Sequence, residues 1–269
     1  MKKSLIICRN MLGQKKKANF TNKFHFIDKH RFQIVESPIK NNLYCNLYNL
    51  WRLTLEHHKP IVLGGDHSLA ISTLSSSICK YTQNIKILWI DAHADINSYS
   101  ESTTKNIHGM VLNFVCDVNT FNQRNHYNQI HYSMFVQNRR INPKNILYLG
   151  IRDLDNYEKE LLRQYNISHI DCKTINDDPD KCIRVVNEFI GKDKYHMSLD
   201  IDAIEPEYVP CTGTPVDDGI KLNNLLYILK HTNMKNKIHT DIVEYNPSLG
   251  NLQQQRRTQQ TILSLLDIL

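Results

Sequence analysis

The chain of 269 residues lacks long apolar runs and a strong excess of one charge. No segment approaches the roughly 20 consecutive apolar residues that a membrane-spanning helix needs. The formal net charge is only +6, and the densest basic patch, Lys15-Lys16-Lys17, has no aromatic residues interleaved. Such a patch is more typical of a solvated loop than of a nucleic-acid site. We therefore expect neither a membrane nor a nucleic-acid partner.

Paired cysteine spacing is also missing. The seven cysteines form an odd set without short paired intervals, which argues for reduced thiols inside the cell. The start, MKKSLIICRN, contains only the apolar stretch LIIC. This stretch is too short for a signal-peptide core and is interpreted as a first strand. A cytoplasmic protein is expected, and a mitochondrial address stays open because no acidic residue precedes Asp28.

Apolar runs suited to buried strands recur along the chain, without an internal repeat, a low-complexity tract or a linker. They are Ser4–Cys8, Pro60–Leu63, Ile85–Ile90, Ile146–Ile151, Ser168–Asp171, His196–Ile201 and Lys237–Val243. Segments of helical period lie between several of them. These are Asn42–His57, Tyr157–Tyr165 after a capping Asp155, Pro179–Ile190, Leu222–His231 and Gln253–Leu269.

The alternation of strands and helices predicts the α/β class: a single three-layer domain over residues 1–269, with a mostly parallel sheet and helices on both faces. The stretch Val118–Arg140 is rich in Asn, Gln, His and Tyr. We expect it to include a long surface loop.

Acidic and imidazole side chains follow four of the predicted strands. In WIDAHADIN, Asp91, His93 and Asp95 occupy every second position, so they share one face of an extended chain. Three further strand ends carry similar residues: IVLGGDHS ends with Asp66 and His67, YHMSLDID with Asp200 and Asp202, and HTDIVE with Asp241 and Glu244. Ligands bind beyond the carboxyl ends of parallel strands. These residues are therefore predicted to meet on one rim of the sheet.

Each piece alone has a structural interpretation. GGDH suits a capped strand-to-helix turn, DID a polar strand end, and a single His93 a hydrogen-bonded core histidine. Four acids and two imidazoles together would repel and desolvate one another unless cations neutralised them. Mixed carboxylate–imidazole coordination suits Mn²⁺ better than Zn²⁺. The residues therefore favour a two-metal site.

Five motifs in order carry a family resemblance: GGDHSLA, DAHADIN, NIHGM, SLDIDAIEPEYVPCTGTP and DIVEYNPSLG. From about Pro60 onward they resemble the ureohydrolase superfamily, and most closely the arginases. The first sixty or so residues diverge, because they lack a Gly- and Pro-rich loop after the first strand. The resemblance implies an arginase-like fold that hydrolyses L-arginine to L-ornithine and urea, through a hydroxide that bridges two Mn²⁺ ions.

The resemblance also implies the metal ligands. It assigns one ion to His67, Asp91, Asp95 and Asp200, and the other to Asp91, His93, Asp200 and Asp202. Three residues gain catalytic roles: His108 shuttles protons, Asp95 accepts a hydrogen bond from the hydroxide, and Glu244 pairs with the guanidinium group. Without its motif, His108 would be interpreted as a surface loop histidine. Thr214 is placed near the guanidinium end.

At the other end of the substrate, similarity places Asn97, Thr104 and Asn106 at the α-carboxylate. It places Asp155 and Glu158 at the α-amino group, with Asp153 as a further acid on the substrate side. Lys105 replaces a glycine in this loop; it could reach the carboxylate or point to solvent. L-arginine is favoured over agmatine.

Alternatives remain at this point: an agmatinase, another guanidino- or formimino-compound hydrolase, or an arginase-like binding protein without turnover. The resemblance further implies a homotrimer.

Overall fold

The computed structural model describes residues 2–9, 11, 13, 24–81, 85–116, 118 and 140–269. The lysines at 15–17, and the predicted loop at 118–140 apart from its two end residues, lie outside the described residues. Among the helices that are described, none combines the length and the apolar character needed to cross a membrane.

The strands form one parallel sheet in the order β2-β1-β3-β8-β7-β4-β5-β6. Their bounds are β1 Lys3–Cys8, β2 Phe32–Glu36, β3 Ile61–Gly64, β4 Lys86–Ile90, β5 Ile146–Leu149, β6 Ser168–Ile170, β7 Tyr195–Asp200 and β8 Lys237–Val243. All seven predicted strands are present within one or two residues of their expected limits. The prediction missed β2, an edge strand with one buried residue in five, because it lacks the apolar run of a central strand.

Within the described ranges, the helices confirm the five predicted ones and add three. Their bounds are α1 Leu43–Glu56, α2 Ala70–Tyr81, α3 Val111–Val115, α4 Asn156–Gln164, α5 Cys172–Asp177, α6 Pro179–Ile190, α7 Leu222–His231 and α8 Leu252–Ile268. The sequence of α2, AISTLSSSICKY, hides its helical period because residues 70–78 are all buried. A helix buried all round shows no amphipathic stripe.

Side-chain alternation along the central strands builds two cores, one on each face of the sheet. Leu88 packs in one core with side chains of α5 to α8, and Trp89 packs in the other with side chains of α1 to α4. The predicted α/β architecture of three layers is thus confirmed. The layers also bring the carboxyl ends of β3, β8, β7 and β4 together as neighbours.

We expect Leu88→Ala to lower the free energy of unfolding by about 2–5 kcal/mol, because it leaves a cavity in a closed core. Leu88 is 1 % exposed at the centre of the sheet. Denaturation in urea, followed by circular dichroism, measures the change.

The matched control is Leu252→Ala, since Leu252 is 73 % exposed at the start of α8. Its effect should stay within about 0.5 kcal/mol. Equal losses from the two changes would contradict this assignment of the core.

Candidate metal centre

One buried histidine lies among three carboxylates at the ends of neighbouring strands. His67 Nδ1 is 3.0 Å from Asp95 Oδ2, 3.1 Å from Asp91 Oδ2 and 3.2 Å from Asp200 Oδ2. His67 follows β3, Asp91 and Asp95 follow β4, and Asp200 ends β7. The ring of His67 stacks on Trp89 with centroids 4.2 Å apart. The strand ends therefore assemble the predicted first group.

A second group shares one carboxylate with the first. His93 Nδ1 lies 3.2 Å from Asp202 Oδ2 and 3.5 Å from Asp91 Oδ1. Asp91 thus turns one oxygen toward each histidine. Thr214 donates to Asp202 Oδ2 at 3.1 Å, and Asp153 Oδ2 lies 3.7 Å from His93 Nε2. Two overlapping groups meet at Asp91.

Divalent cations fit the chemistry of these donors. Burial raises the pKa of Asp200 well above its ordinary value, and the charges of Asp202 and Asp91 raise it further. His67 Nδ1 is buried and has no hydrogen-bond partner among the described residues, although three carboxylate oxygens surround it. Repulsion between buried carboxylates is relieved when a cation sits between them. Oxygen-rich coordination with imidazole suits hard divalent ions.

Backbone conformation aims two of the acids. Asp95 has a φ of 49° and Glu244 a φ of 62°, a left-handed region that residues other than glycine rarely adopt. Neighbouring hydrogen bonds hold both: Leu112 N donates to Asp95 O at 2.8 Å, and Glu244 N donates to Gly65 O at 2.9 Å. Strained backbone persists where the surrounding structure determines it, and such residues cluster at functional sites.

His108 and Glu244 form a pair beside the first group. His108 Nδ1 and Glu244 Oε1 are 3.1 Å apart, and His67 N donates to the same oxygen at 2.9 Å. Burial disfavours the His108 cation, but the hydrogen bond and charge of Glu244 outweigh it and raise the pKa of His108 to about 9. His108 is therefore protonated at neutral pH and loses that proton only as the pH rises through about 9.

The divergent N-terminal segment contributes to this site through Gly13. Gly13 N donates to Asp66 Oδ2 at 2.8 Å. Its carbonyl accepts from Ile107 N at 2.7 Å and from His108 N at 3.3 Å. Asp66 was singled out only as part of GGDH, and the contact of Gly13 has no signal in the sequence. Burial, and then the charge of Glu244, raise the pKa of Asp66 to about 6.

The residues assigned to the α-amino end lie together. Asn97 Nδ2 donates to the Asp155 carboxylate. Glu158 is buried and accepts from Ile96 N at 3.3 Å and from Asp155 N at 3.0 Å. Burial, and then the charge of Asp95, raise its pKa to about 8. Glu158 thus joins the start of α4 to the loop after β4.

The residues assigned to the α-carboxylate lie on the loop 97–106. Thr104 Oγ1 accepts from Asn106 N at 3.3 Å. Lys105 has a φ of 59°, and its ammonium group donates to Tyr99 O and Ser100 O. The ammonium group of Lys105 therefore stabilises its own loop through hydrogen bonds to the loop backbone.

Asp241 corrects one expectation about the rim. It was predicted beside Glu244, but it lies within β8, fully buried under α2, where Thr73 Oγ1 donates to Asp241 Oδ2 at 2.7 Å. The predicted limits of this strand are confirmed, but the placement of Asp241 on the rim was wrong because Asp241 lies inside the strand, two residues before Val243, and its carboxylate is bonded to Thr73 of α2. Only Glu244, beyond the strand, reaches the rim.

The family model described as "Arginase family" matches residues 8–267. The arginase of Entamoeba histolytica is 37% identical over 194 residues, which cover 70% of this chain and 62% of that protein. The arginase of Saccharomyces cerevisiae is 36% identical over 198 residues, covering 71% of this chain and 58% of that protein. The chain therefore spans about three fifths of the length of these curated relatives.

Solved structures show the same fold. The crystal structure of Entamoeba histolytica arginase in complex with L-ornithine superposes with a TM-score of 0.80 at 25% identity, covering 99% of both chains. The formimidoylglutamase of Bacillus subtilis superposes with a TM-score of 0.72 at 15% identity, over 100% of this chain and 87% of that one. The second match concerns the fold alone, so the fold does not decide the substrate.

Because Asp91 faces both histidines, we expect Asp91→Asn to weaken Mn²⁺ binding at both groups, whereas His67→Asn should weaken only one. The asparagine removes a negative charge that both ions would share. Metal content after equilibrium dialysis, measured by mass spectrometry, distinguishes the two outcomes.

Asp267→Asn makes the same chemical change at an exposed surface ion pair with Arg31 and should leave the metal content unaltered. If Asp91→Asn retained the manganese content of the unaltered chain, Asp91 could not be the shared ligand.

Proposed function

Because this chain belongs to the arginase family, we propose that it hydrolyses L-arginine to L-ornithine and urea with two Mn²⁺ ions per chain. The observation that carries the proposal is the pair of overlapping ligand groups at Asp91, directly beside the pair His108–Glu244. Relatives named arginase support it, as does the Entamoeba histolytica structure with its bound L-ornithine.

Six side chains would hold the ions: His67, Asp91, Asp95 and Asp200 for one, and Asp91, His93, Asp200 and Asp202 for the other. Asp91 Oδ1 and Oδ2 already face different histidines. Asp200 accepts from Asp202 N at 2.9 Å, which fixes it between the two groups. When bound, two such ions lower the pKa of a water molecule and supply hydroxide near neutral pH.

Glu244 and Asp95 would orient the reactants. A carboxylate and a planar guanidinium group form a two-point, charge-assisted hydrogen bond, and Glu244 is only 2 % exposed, so such a bond would be poorly screened. Thr214, which donates to Asp202, would lie near this end. Asp95 would accept a hydrogen bond from the attacking oxygen and direct its lone pair at the guanidinium carbon. Burial and the charge of Asp91 raise the pKa of Asp95 to about 6, a sign of its exclusion from water.

His108 would move the proton. After attack on the guanidinium carbon, the bond between that carbon and the side-chain nitrogen of arginine breaks. This nitrogen needs one proton to leave as the side-chain amine of ornithine. A protonated imidazole is a suitable donor. The hydrogen bond to Glu244, and the contact of His108 N with Gly13 O, hold His108 at the rim.

The amino-acid end would be recognised by the loop after β4 and the start of α4. Asp155, already bonded to Asn97, would hold the α-amino group, with Glu158 fixing its position from behind. Asn97, Thr104 and Asn106 would contact the α-carboxylate. Asp153, near His93, would face the metals rather than the amino group.

One assay of urea release distinguishes the proposed arginase activity from two alternatives. A hydrolase of formimino or other guanidino compounds would share this fold, but one whose substrate has no amine, such as guanidinobutyrate, would not need the acid at 155 beside Asn97. A binding protein without turnover would release no urea from any substrate. Urea release from L-arginine, agmatine and guanidinobutyrate with added Mn²⁺ separates the three.

The compartment and the assembly are also proposed. The seven cysteines lack short paired spacing, which suits a reducing compartment such as the cytoplasm; import into mitochondria is the alternative. A homotrimer is proposed from the family.

We expect His108→Asn to lower kcat by about 10²–10⁴-fold, the range of general acid–base groups, while KM and the manganese content stay nearly unchanged. The imidazole would act on the leaving group and not on binding. Steady-state urea release and metal analysis measure both.

His58→Asn, at an exposed position after α1, is the control and should leave kcat unaltered. Near-normal kcat in the His108 variant would assign His108 to loop packing instead.

We expect agmatine to be a poor substrate, because a site built to bond a carboxylate leaves its partners unpaired when that group is absent. Asn97→Ala and Thr104→Ala should reduce kcat/KM for arginine. The ratio of kcat/KM for arginine to that for agmatine should therefore fall. Asp155→Ala should instead narrow the gap to guanidinobutyrate, which has no amine. Measurement of kcat/KM for the three compounds in each variant tests this.

Lys105→Gly is the matched control within the same loop. The ammonium group of Lys105 bonds Tyr99 O and Ser100 O of its own loop. Removal of this side chain should therefore change KM for arginine and KM for agmatine by the same factor. Efficient hydrolysis of agmatine by the unaltered chain would overturn arginine as the substrate and leave the metal site intact.

A further inference from the structure

Another group of metal-ligating side chains lies inside the sheet, below the rim. His196 on β7 faces His239 on β8 as its register partner. Asp241 follows His239 by two residues, so their side chains lie on the same face. The three residues are at most 3 % exposed. Nothing in the proposed arginine reaction uses them.

Two atoms of this group have no hydrogen-bond partner among the described residues. These are His239 Nε2 and Asp241 Oδ1, which lie 3.1 Å apart without a hydrogen-bonding direction. His196 Nε2 is 2.8 Å from Asp241 Oδ2. One ligand atom from each of the three residues falls within a 4.8 Å span. A buried polar atom without a partner costs folding free energy. A cation bound between His239 Nε2 and Asp241 Oδ1 would give a partner to both atoms.

The first metal group shows the same feature. His67 Nδ1 also faces carboxylate oxygens without a hydrogen bond. One histidine of each group also contacts a serine hydroxyl: His67 Nε2 lies 2.9 Å from Ser198 Oγ, and His196 Nδ1, in the group inside the sheet, lies 3.0 Å from Ser77 Oγ. The Nε2 of His196 is hydrogen-bonded to Asp241 Oδ2 and would exchange that bond for the ion. Metal-binding histidines are oriented by such outer contacts.

The carboxylates follow the same pattern. Trp89 Nε1 donates to Asp91 Oδ2 at 2.9 Å, and Thr73 Oγ1 donates to Asp241 Oδ2 at 2.7 Å. Ligating carboxylates are hydrogen-bonded in turn. Both groups therefore share an unpartnered ring nitrogen, a serine-held imidazole and a donor on the carboxylate.

We propose that His196, His239 and Asp241 bind one Zn²⁺ ion that joins β7 and β8 beneath α2. Two imidazoles and one carboxylate are too few and too nitrogen-rich for Mn²⁺ but suit four-coordinate Zn²⁺. With a single buried carboxylate, the group would balance one of the two positive charges.

A small cavity beside His239 supplies room for a fourth ligand. It has a volume of about 10 Å³, and its lining includes Ser76, Ser77, Lys80 and His239. A volume of this size holds about one water molecule. The ion would then have three protein ligands and one water. Because the folded chain alone presents these ligands together, binding would stabilise the fold.

The test uses the full chain, purified after expression with Mn²⁺ and Zn²⁺ both supplied. Metal analysis should find about one zinc per chain, and crystals should show anomalous scattering at the zinc edge between β7 and β8. His239→Gln should reduce the zinc to near none and lower Tm, with manganese and urea release within about twofold of the unaltered chain.

Thr240→Val is the matched control. Thr240 is the next residue on β8, with a buried hydroxyl that has no hydrogen-bond partner in the described chain; its variant should keep the zinc. His67→Asn should do the opposite of His239→Gln, since it should lower the manganese content of the first group and keep the zinc.

An unaltered chain without zinc at this position, under conditions that fill the manganese site, would overturn the proposal. So would a His239→Gln variant that keeps its zinc. If that variant does not fold, the anomalous map of the unaltered chain decides alone. A chain that holds zinc but releases no urea would reject only the arginase activity.

Discussion

Repulsion between buried carboxylates is the constraint on which the rim of this sheet depends. Asp91, Asp200 and Asp202 are each at most 2 % exposed. The charges of Asp202 and Asp91 raise the pKa of Asp200, and the charge of Asp91 raises the pKa of Asp202. Parallel strands bring their carboxyl ends to one edge, so the topology that builds the core also concentrates this charge. Cations placed among the carboxylates relieve this repulsion. Because most of the donor atoms are oxygens, they favour hard divalent cations.

Three consecutive residues join the first ligand group to the proposed substrate end. Asp95 faces His67, Ile96 N donates to Glu158, and Asn97 donates to Asp155. A shift of this segment would move the proposed metal ligand, a structural hydrogen bond and the proposed substrate contact together. The left-handed backbone at Asp95 fixes the turn from which all three project. Under the proposed function, selectivity for the amino-acid end and the geometry of the metals would therefore be coupled through the backbone, and not only through the substrate.

The sequence predicted those elements of the fold that have a continuous apolar run or a clear strand or helix periodicity. Continuous apolar runs located the central strands, and acids at spacing two located the metal groups. It did not locate β2, whose exposure at the edge weakens its pattern, or α2, in which residues 70–78 are all buried and show no polar face. Asp241 was misplaced because a polar residue near the end of a strand was taken to lie on the rim, whereas its carboxylate is buried and bonded to Thr73. The groups around His239 were missed for a related reason: β7 and β8 become neighbours only in the sheet order, and their spacing along the chain gives no sign of it.

The contact of Gly13 bears on how the N-terminal segment can change over evolutionary time. Gly13 touches Asp66, Ile107 and His108 only with its backbone N–H and carbonyl. Substitution of surrounding side chains therefore leaves these bonds available, and the segment can drift far from its relatives without losing its hold on His108. The position itself cannot drift, because a Cβ there would lie 2.5 Å from Asp66 Oδ1 and from Ser68 Cβ. A glycine at this position is therefore required by the contacts of its backbone, whatever side chains surround it.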